Sequence, residues 1–114
     1  MNKITMLGRL TRDIENRSYG SDGGIVGKFG LAVNTYRGKD KEDDVCFIDV
    51  ACFGRVAETI GKYFSKGDAI LVEGKLKLNT WEKDGQKRSK HEIVLDTFHF
   101  LPAGKERVTN SDQF

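Results

Sequence analysis

Tyr36, Phe47, Phe53 and Trp81 are the residues of this 114-residue chain whose surroundings fit packing least well. Read with the two-residue period of a β-strand, each falls opposite the face that carries the aliphatic side chains, and each shares its own face with charge. From Val45 to Phe53 the even positions Cys46, Ile48, Val50 and Cys52 are apolar and suit a core, whereas Phe47 and Phe53 flank Asp49 and Ala51. Lys3, Arg9, Lys28, Lys75 and Lys77 fall on the corresponding faces of the other predicted strands. Flat rings among cations suit one chemistry. Unstacked bases gain about 1 to 3 kcal/mol each on aromatic side chains while lysine and arginine follow the phosphates, so the pattern fits single-stranded nucleic acid. A duplex, its bases already stacked, does not need the rings. The competing reading is that the rings pack beneath the helix, a second sheet layer or another subunit. Asp49, between two rings, would repel phosphate, and a cross-strand lysine, Lys75 or Lys77, is expected to neutralise it.

Five extended segments and one helix must position these side chains. From Asn2 to Thr11, Ile4, Met6 and Leu10 share one face and Lys3, Thr5 and Arg9 the other, with Leu7 out of phase. The polar run from Thr11 to Gly24 reads as a connection. Val26 to Arg37 places Phe29, Leu31 and Val33 in the core, opposite Lys28, Gly30, Ala32, Asn34 and Tyr36. Gly30 either leaves room for something flat or permits a bend. Arg37 to Asp44 has no apolar residue and reads as a solvated hairpin loop. The period then lengthens: Val56, Ala57, Ile60, Tyr63 and Phe64 give a short amphipathic helix between Gly54 and Gly67, with Gly67 as its C-terminal cap. Asp68 to Trp81 returns to alternation, with Ile70, Val72, Leu76 and Leu78 inward and Glu73, Lys75, Lys77, Asn79 and Trp81 outward. Asp84-Gly85 signals a tight hairpin. The basic cluster Lys87, Arg88 and Lys90 leads into a last strand, His91 to Leu101. One domain, 1–102, and a short polar tail, 103–114, are expected.

Composition narrows the functional classes. Charged residues make up 32% of the chain but leave a net charge of only +2, so a nucleic-acid surface must come from local segregation of charge. Cys46 and Cys52 are too far apart along one strand to meet the Cα separation of about 7 Å that a disulfide allows, and read as reduced core thiols. No apolar run approaches the roughly 20 residues that span a membrane, and no leader pattern is present, so a soluble, cytoplasmic protein is expected. His91 and His99 do not form a metal-ligand pattern with either cysteine, and no nucleophile, paired-carboxylate or phosphate-loop motif occurs, so neither metal, cofactor nor catalysis is expected.

The order strand, strand, strand, helix, strand, strand is that of an all-β five-stranded Greek-key barrel of the OB type, with its helix between the third and fourth strands. Three stretches carry a closer likeness. M-N-K-I-T-M-L-G-R-L-T-R-D at the start, F-G-R-V-A-E-T-I-G-K-Y-F-S-K-G at the helix and V-E-G-K-L-K-L-N-T-W after it make the chain resemble the bacterial single-stranded DNA-binding proteins over roughly Met1 to Phe100. The resemblance implies sequence-independent binding and protection of single-stranded DNA in replication, recombination and repair, in the nucleoid. It implies base stacking on Tyr36, Phe47, Phe53 and Trp81, two of them smaller rings where the family often has tryptophan. Phosphate contacts then fall to Lys3, Arg9, Lys28, Arg37, Arg55, Lys75, Lys77, Lys87 and Arg88. It also implies a homotetramer, for which Leu7 and Leu71 offer apolar surface. The family's linker and acidic tip ending in proline-phenylalanine recruit replication and repair proteins. Here only Asp112-Gln113-Phe114 echoes that tip, which speaks against such recruitment. The rival is an OB-fold interaction module serving protein contacts or another polymer, since a fold does not fix a function.

Overall fold

Alternating apolar positions separated by turn residues produce strands here, and the helical spacing after Phe53 produces the one helix among the described residues. A computed structural model describes residues 1–20 and 23–101. Within them the chain runs β1 (Ile4–Leu10), β2 (Glu15–Tyr19), β3 (Gly24–Thr35), β4 (Asp44–Phe53), α1 (Arg55–Tyr63), β5 (Ala69–Lys83) and β6 (Gln86–His99). The expected tail, with Asp112, Gln113 and Phe114, lies outside the described residues.

The strands form one sheet in the order β1-β5-β6-β4-β3-β2, and β1 turns back to pair with β3 through Arg9↔Ala32 and Leu10↔Leu31. That pairing closes β1, β3, β4, β6 and β5 into a barrel. All ladders are antiparallel except β4 with β6. With α1 between the third and fourth barrel strands in chain order, this is the expected OB-type architecture. Phe29, Leu31, Val50, Cys52, Ile70, Val72 and Ile93 fill the interior, and Ala57 and Ile60 of α1 join them.

Several expectations are corrected. The polar segment after Thr11 contains β2, a strand that alternation could not reveal because all five of its residues are exposed. It exists through its hairpin with β3, from Glu15↔Lys28 to Tyr19↔Gly24. The helix stops at Tyr63, short of Gly67: Phe64 is already extended at φ −123 and ψ 143, although its N–H still donates to the Ile60 carbonyl. Gly67, at φ 90, instead shapes the turn into β5, where its N–H donates to the Leu10 carbonyl at 2.8 Å. Cys46 is exposed rather than in the core, because the first four residues of β4 extend beyond it. Cys52 is fully buried, and burial pushes its thiol up to about 11. Leu76 and Leu78 are also exposed. They follow a register shift at Glu73/Gly74, where β5 runs on past its ladder with β1. The Asp84-Gly85 turn of the β5–β6 hairpin has positive φ at both residues, 54 and 76, as a tight primed turn requires.

Candidate nucleic-acid interface

Cross-strand partners project to the same side of a sheet, so the registers define the outer face. Across β3 and β4, Val26 lies opposite Phe53, Lys28 opposite Ala51, Gly30 opposite Asp49 and Ala32 opposite Phe47. β6 continues these rows with Glu92 beside Asp49 and Val94 beside Ala51. β5 completes them with Lys77 opposite Glu92 and Lys75 opposite Val94, and farther along the hairpin Trp81 faces Arg88. One row therefore reads Lys28, Ala51, Val94, Lys75 and the next Gly30, Asp49, Glu92, Lys77. Small or aliphatic residues and charges alternate across a surface bounded by rings. Phe47 and Phe53, six residues apart on β4, are separated by about 20 Å at the rise of a strand.

The rings are open to solvent, with exposures of 73% at Phe47, 47% at Phe53, 44% at Tyr36 and 43% at Trp81. Each ring keeps a large part of its surface open in the described chain. Tyr36 lies just past β3 and lines a hollow with Thr5, Met6, Leu7, Val33, Asn34 and Thr35, on the β1 side of the face. Lys28, Lys75 and Lys77 extend from the face and are exposed. Other expected cations are held or placed elsewhere. Arg9 donates from Nη1 to the Gly67 carbonyl at 2.8 Å, Lys3 lies 3.8 Å from Glu73, and Arg37 pairs with Asp44 at 3.4 Å. Lys87 faces Glu82, on the side of the hairpin opposite Trp81 and Arg88, and Arg55 begins α1. The face thus gathers Phe47, Phe53, Trp81, Lys28, Lys75, Lys77 and Arg88, leaving Arg55 and Lys87 outside it.

Three cations were not in the expected set. Arg12 and Arg17 line a hollow with Glu15, Val26 and Lys28, and Arg12 also lines its neighbour with Phe47, Asp49 and Gly30. Arg17 belongs to β2, which gave no signal of its own. Arg12 stood within the opening stretch of the resemblance, and Lys90 within the basic cluster before the last strand. Arg12 also bears on the room over Gly30. A Cβ there would run into Thr11 Oγ1 and come within 2.8 Å of Arg12 Nη1, so the space is filled by the chain's own side chains.

Asp49 is held, but not by Lys75 or Lys77. Lys90 Nζ lies 2.6 Å from its Oδ2, and Arg12 Nη1 lies 3.9 Å from its Oδ1. The reason is strand order: β6 lies between β4 and β5, which puts the lysines of β5 two ladder spacings, about 10 Å, from β4. Beside Asp49 in the same row, Glu92 is only 7% exposed. At the end of β6, His99 Nε2 meets Glu73 Oε2 at 2.9 Å. That hydrogen bond, helped by the charge of Lys3, holds the Glu73 carboxyl below its usual range. Among the described residues no group of three His, Cys, Asp or Glu side chains is placed to hold a metal ion, and no helix is long and apolar enough to cross a membrane.

Comparison with known proteins bears on the fold and the family. A solved Plasmodium falciparum SSB complex with ssDNA superposes with a TM-score of 0.75 at 26% identity, covering 83% of this chain and 86% of that one. The single-stranded DNA-binding protein of Wolinella succinogenes is 43% identical over 104 residues, 88% of this chain and 64% of its own. That of Helicobacter hepaticus is 41% identical over 117 residues, 96% of this chain and 68% of its own. That of Clostridium perfringens is 38% identical over 115 residues, 100% of this chain and 75% of its own. The chain thus spans about two thirds of the length of the first two relatives. Residues 1–101 match the single-strand binding protein family, and the chain belongs to it.

Proposed function

We propose that the chain binds single-stranded DNA without sequence preference and protects it during replication, recombination and repair, without catalysing a reaction. The observation that carries the reading is the outer face itself. Exposed rings at Phe47, Phe53 and Trp81 stand among Lys28, Lys75, Lys77 and Arg88, and the backbone registers of four strands fix their spacing. Every base has a π-face and every nucleotide a phosphate, so such a surface holds a strand without reading it. Tyr36 extends the stacking path toward β1. Lys3, Arg9, Arg37, Arg55 and Lys87 are peripheral to it, and their share in phosphate contact is correspondingly smaller. Arg12, Arg17 and Lys90 join the set.

The working form is a homotetramer acting in the nucleoid of the cytoplasm, with 1–102 as the binding domain. Self-association is supported by the β1 edge, which pairs with β3 at Arg9 and Leu10 and, among the described residues, leaves Ile4 to Gly8 without a ladder partner on that side. An open edge beside half-buried Leu7 is a template for a second chain. Titration with oligo(dT), oligo(U) and duplex DNA at two salt concentrations tests the function. Oligo(dT) is expected to bind more tightly than duplex and to lose affinity with salt. Duplex binding of equal or greater strength would sink the reading. A preference for oligo(U) would move it to an RNA-binding barrel.

A further inference from the structure

We infer that Asp49 is an internal competitor for phosphate: it holds Lys90 and Arg12 in the free protein and yields them when a strand enters, thereby setting the affinity and salt dependence of binding. The inference rests on the reading of the outer face as a surface for single-stranded DNA. Asp49 stands on β4 between Phe47 and Phe53, so a strand stacked on both rings passes over it. Its two oxygens are divided between two cations, Oδ2 with Lys90 at 2.6 Å and Oδ1 with Arg12 at 3.9 Å.

These pairs are not there to hold the fold. The side chains of Asp49, Lys90 and Arg12 are 29%, 57% and 44% exposed, and ion pairs this open to water add little to stability. They do occupy cations where phosphates would need them. An arriving phosphate must displace the carboxylate, and the displaced carboxylate then faces a polyanion with Glu92 beside it in the same row. Glu92 is itself a like charge, so losing Lys90 and Arg12 costs Asp49 more than it would an isolated carboxylate. Binding is therefore weaker, and releases fewer net ions, than the cations on the face alone would give.

The test is Asp49→Asn, nearly isosteric, with oligo(dT) affinity measured across a salt series and folding checked by thermal melting. The variant is expected to bind about 3- to 30-fold more tightly at low salt. Its plot of log affinity against log salt should steepen by about 0.7 for each additional phosphate that the freed cations neutralise. In a Lys90→Gln background the gain from Asp49→Asn should shrink, because the pair is already broken. Glu58→Gln, on α1, makes the same change in net charge and should leave affinity and slope unchanged. Equal or weaker binding by Asp49→Asn, an undiminished gain in the Lys90→Gln background, or an equal gain from Glu58→Gln would each overturn the inference. A wild-type protein that binds no oligo(dT) would overturn the proposed function and this inference together.

Discussion

A ring that is half exposed contributes little to the fold and can contribute much to a ligand. Phe53→Ala and Trp81→Ala are therefore expected to fold normally and to lose about 1 to 3 kcal/mol of oligo(dT) affinity each, read by titration beside a thermal melt. Unfolding of both variants would instead assign the rings to packing. A second residue prediction concerns acid. The Glu73 carboxyl is held below its usual value by His99 and Lys3, so it binds a proton less readily folded than unfolded. Its contribution is complete above the ordinary carboxylate range and lost as pH falls through the lowered value. Glu73→Gln should thus flatten the loss of thermal stability as pH falls below the ordinary carboxylate range. Melting curves that fall in parallel for variant and wild type would remove that role. At this scale the sequence was informative about which side a residue faces and silent about its partner. Period two placed Phe47, Asp49 and Phe53 together. That Lys90 rather than Lys75 holds Asp49 depends on β6 lying between β4 and β5, a matter of strand order that no local pattern encodes.

Elements were legible where one face is buried and the other wet. β1, β3, β4, α1 and the inner part of β5 have that contrast, and their existence and order could be read from it. β2 has no buried face, and the outer part of the β5–β6 hairpin has lost its own, so alternation missed the first and wrongly assigned Leu76 and Leu78 to the core. The bulge at Glu73/Gly74, where β5 passes the end of its ladder with β1, is fixed by contacts across the sheet. A Cβ on Gly74 would run into the Val94 carbonyl oxygen and lie 3.0 Å from Leu95 Cα, both backbone atoms that cannot swing aside. Gly74→Ala is accordingly expected to destabilise the protein by about 1 to 3 kcal/mol in denaturant unfolding. It should also disturb the placement of Trp81, which the same hairpin carries. Gly30→Ala meets the far ends of the Thr11 and Arg12 side chains instead, and should cost distinctly less. A larger loss at Gly30 than at Gly74 would contradict this account of the two close approaches.

For the whole molecule, the charge total says little and the open edge says more. A net charge of +2 cannot steer a polyanion over long range, so binding depends on how many local faces a strand can reach at once. In the proposed homotetramer, assembly sets that number. Among the described residues, β1 leaves Ile4 to Gly8 without a ladder partner on the β3 side, and Leu7, opposite Leu71 in the β1–β5 ladder, is half-buried beside that edge. A second copy laid along the edge would satisfy its backbone groups and cover both leucines. Leu7→Glu places a charge in that contact while leaving the inner face of β1 untouched. In solution the wild-type mass should correspond to four chains and that of the variant to fewer, with the thermal transition retained. Long oligo(dT) spans several faces and gains from their linkage, so the variant should lose more affinity for a long strand than for one short enough to fill a single face. An unchanged mass for Leu7→Glu would move the interface away from β1. A wild-type monomer that still binds long and short strands with the same preference would remove the need for assembly.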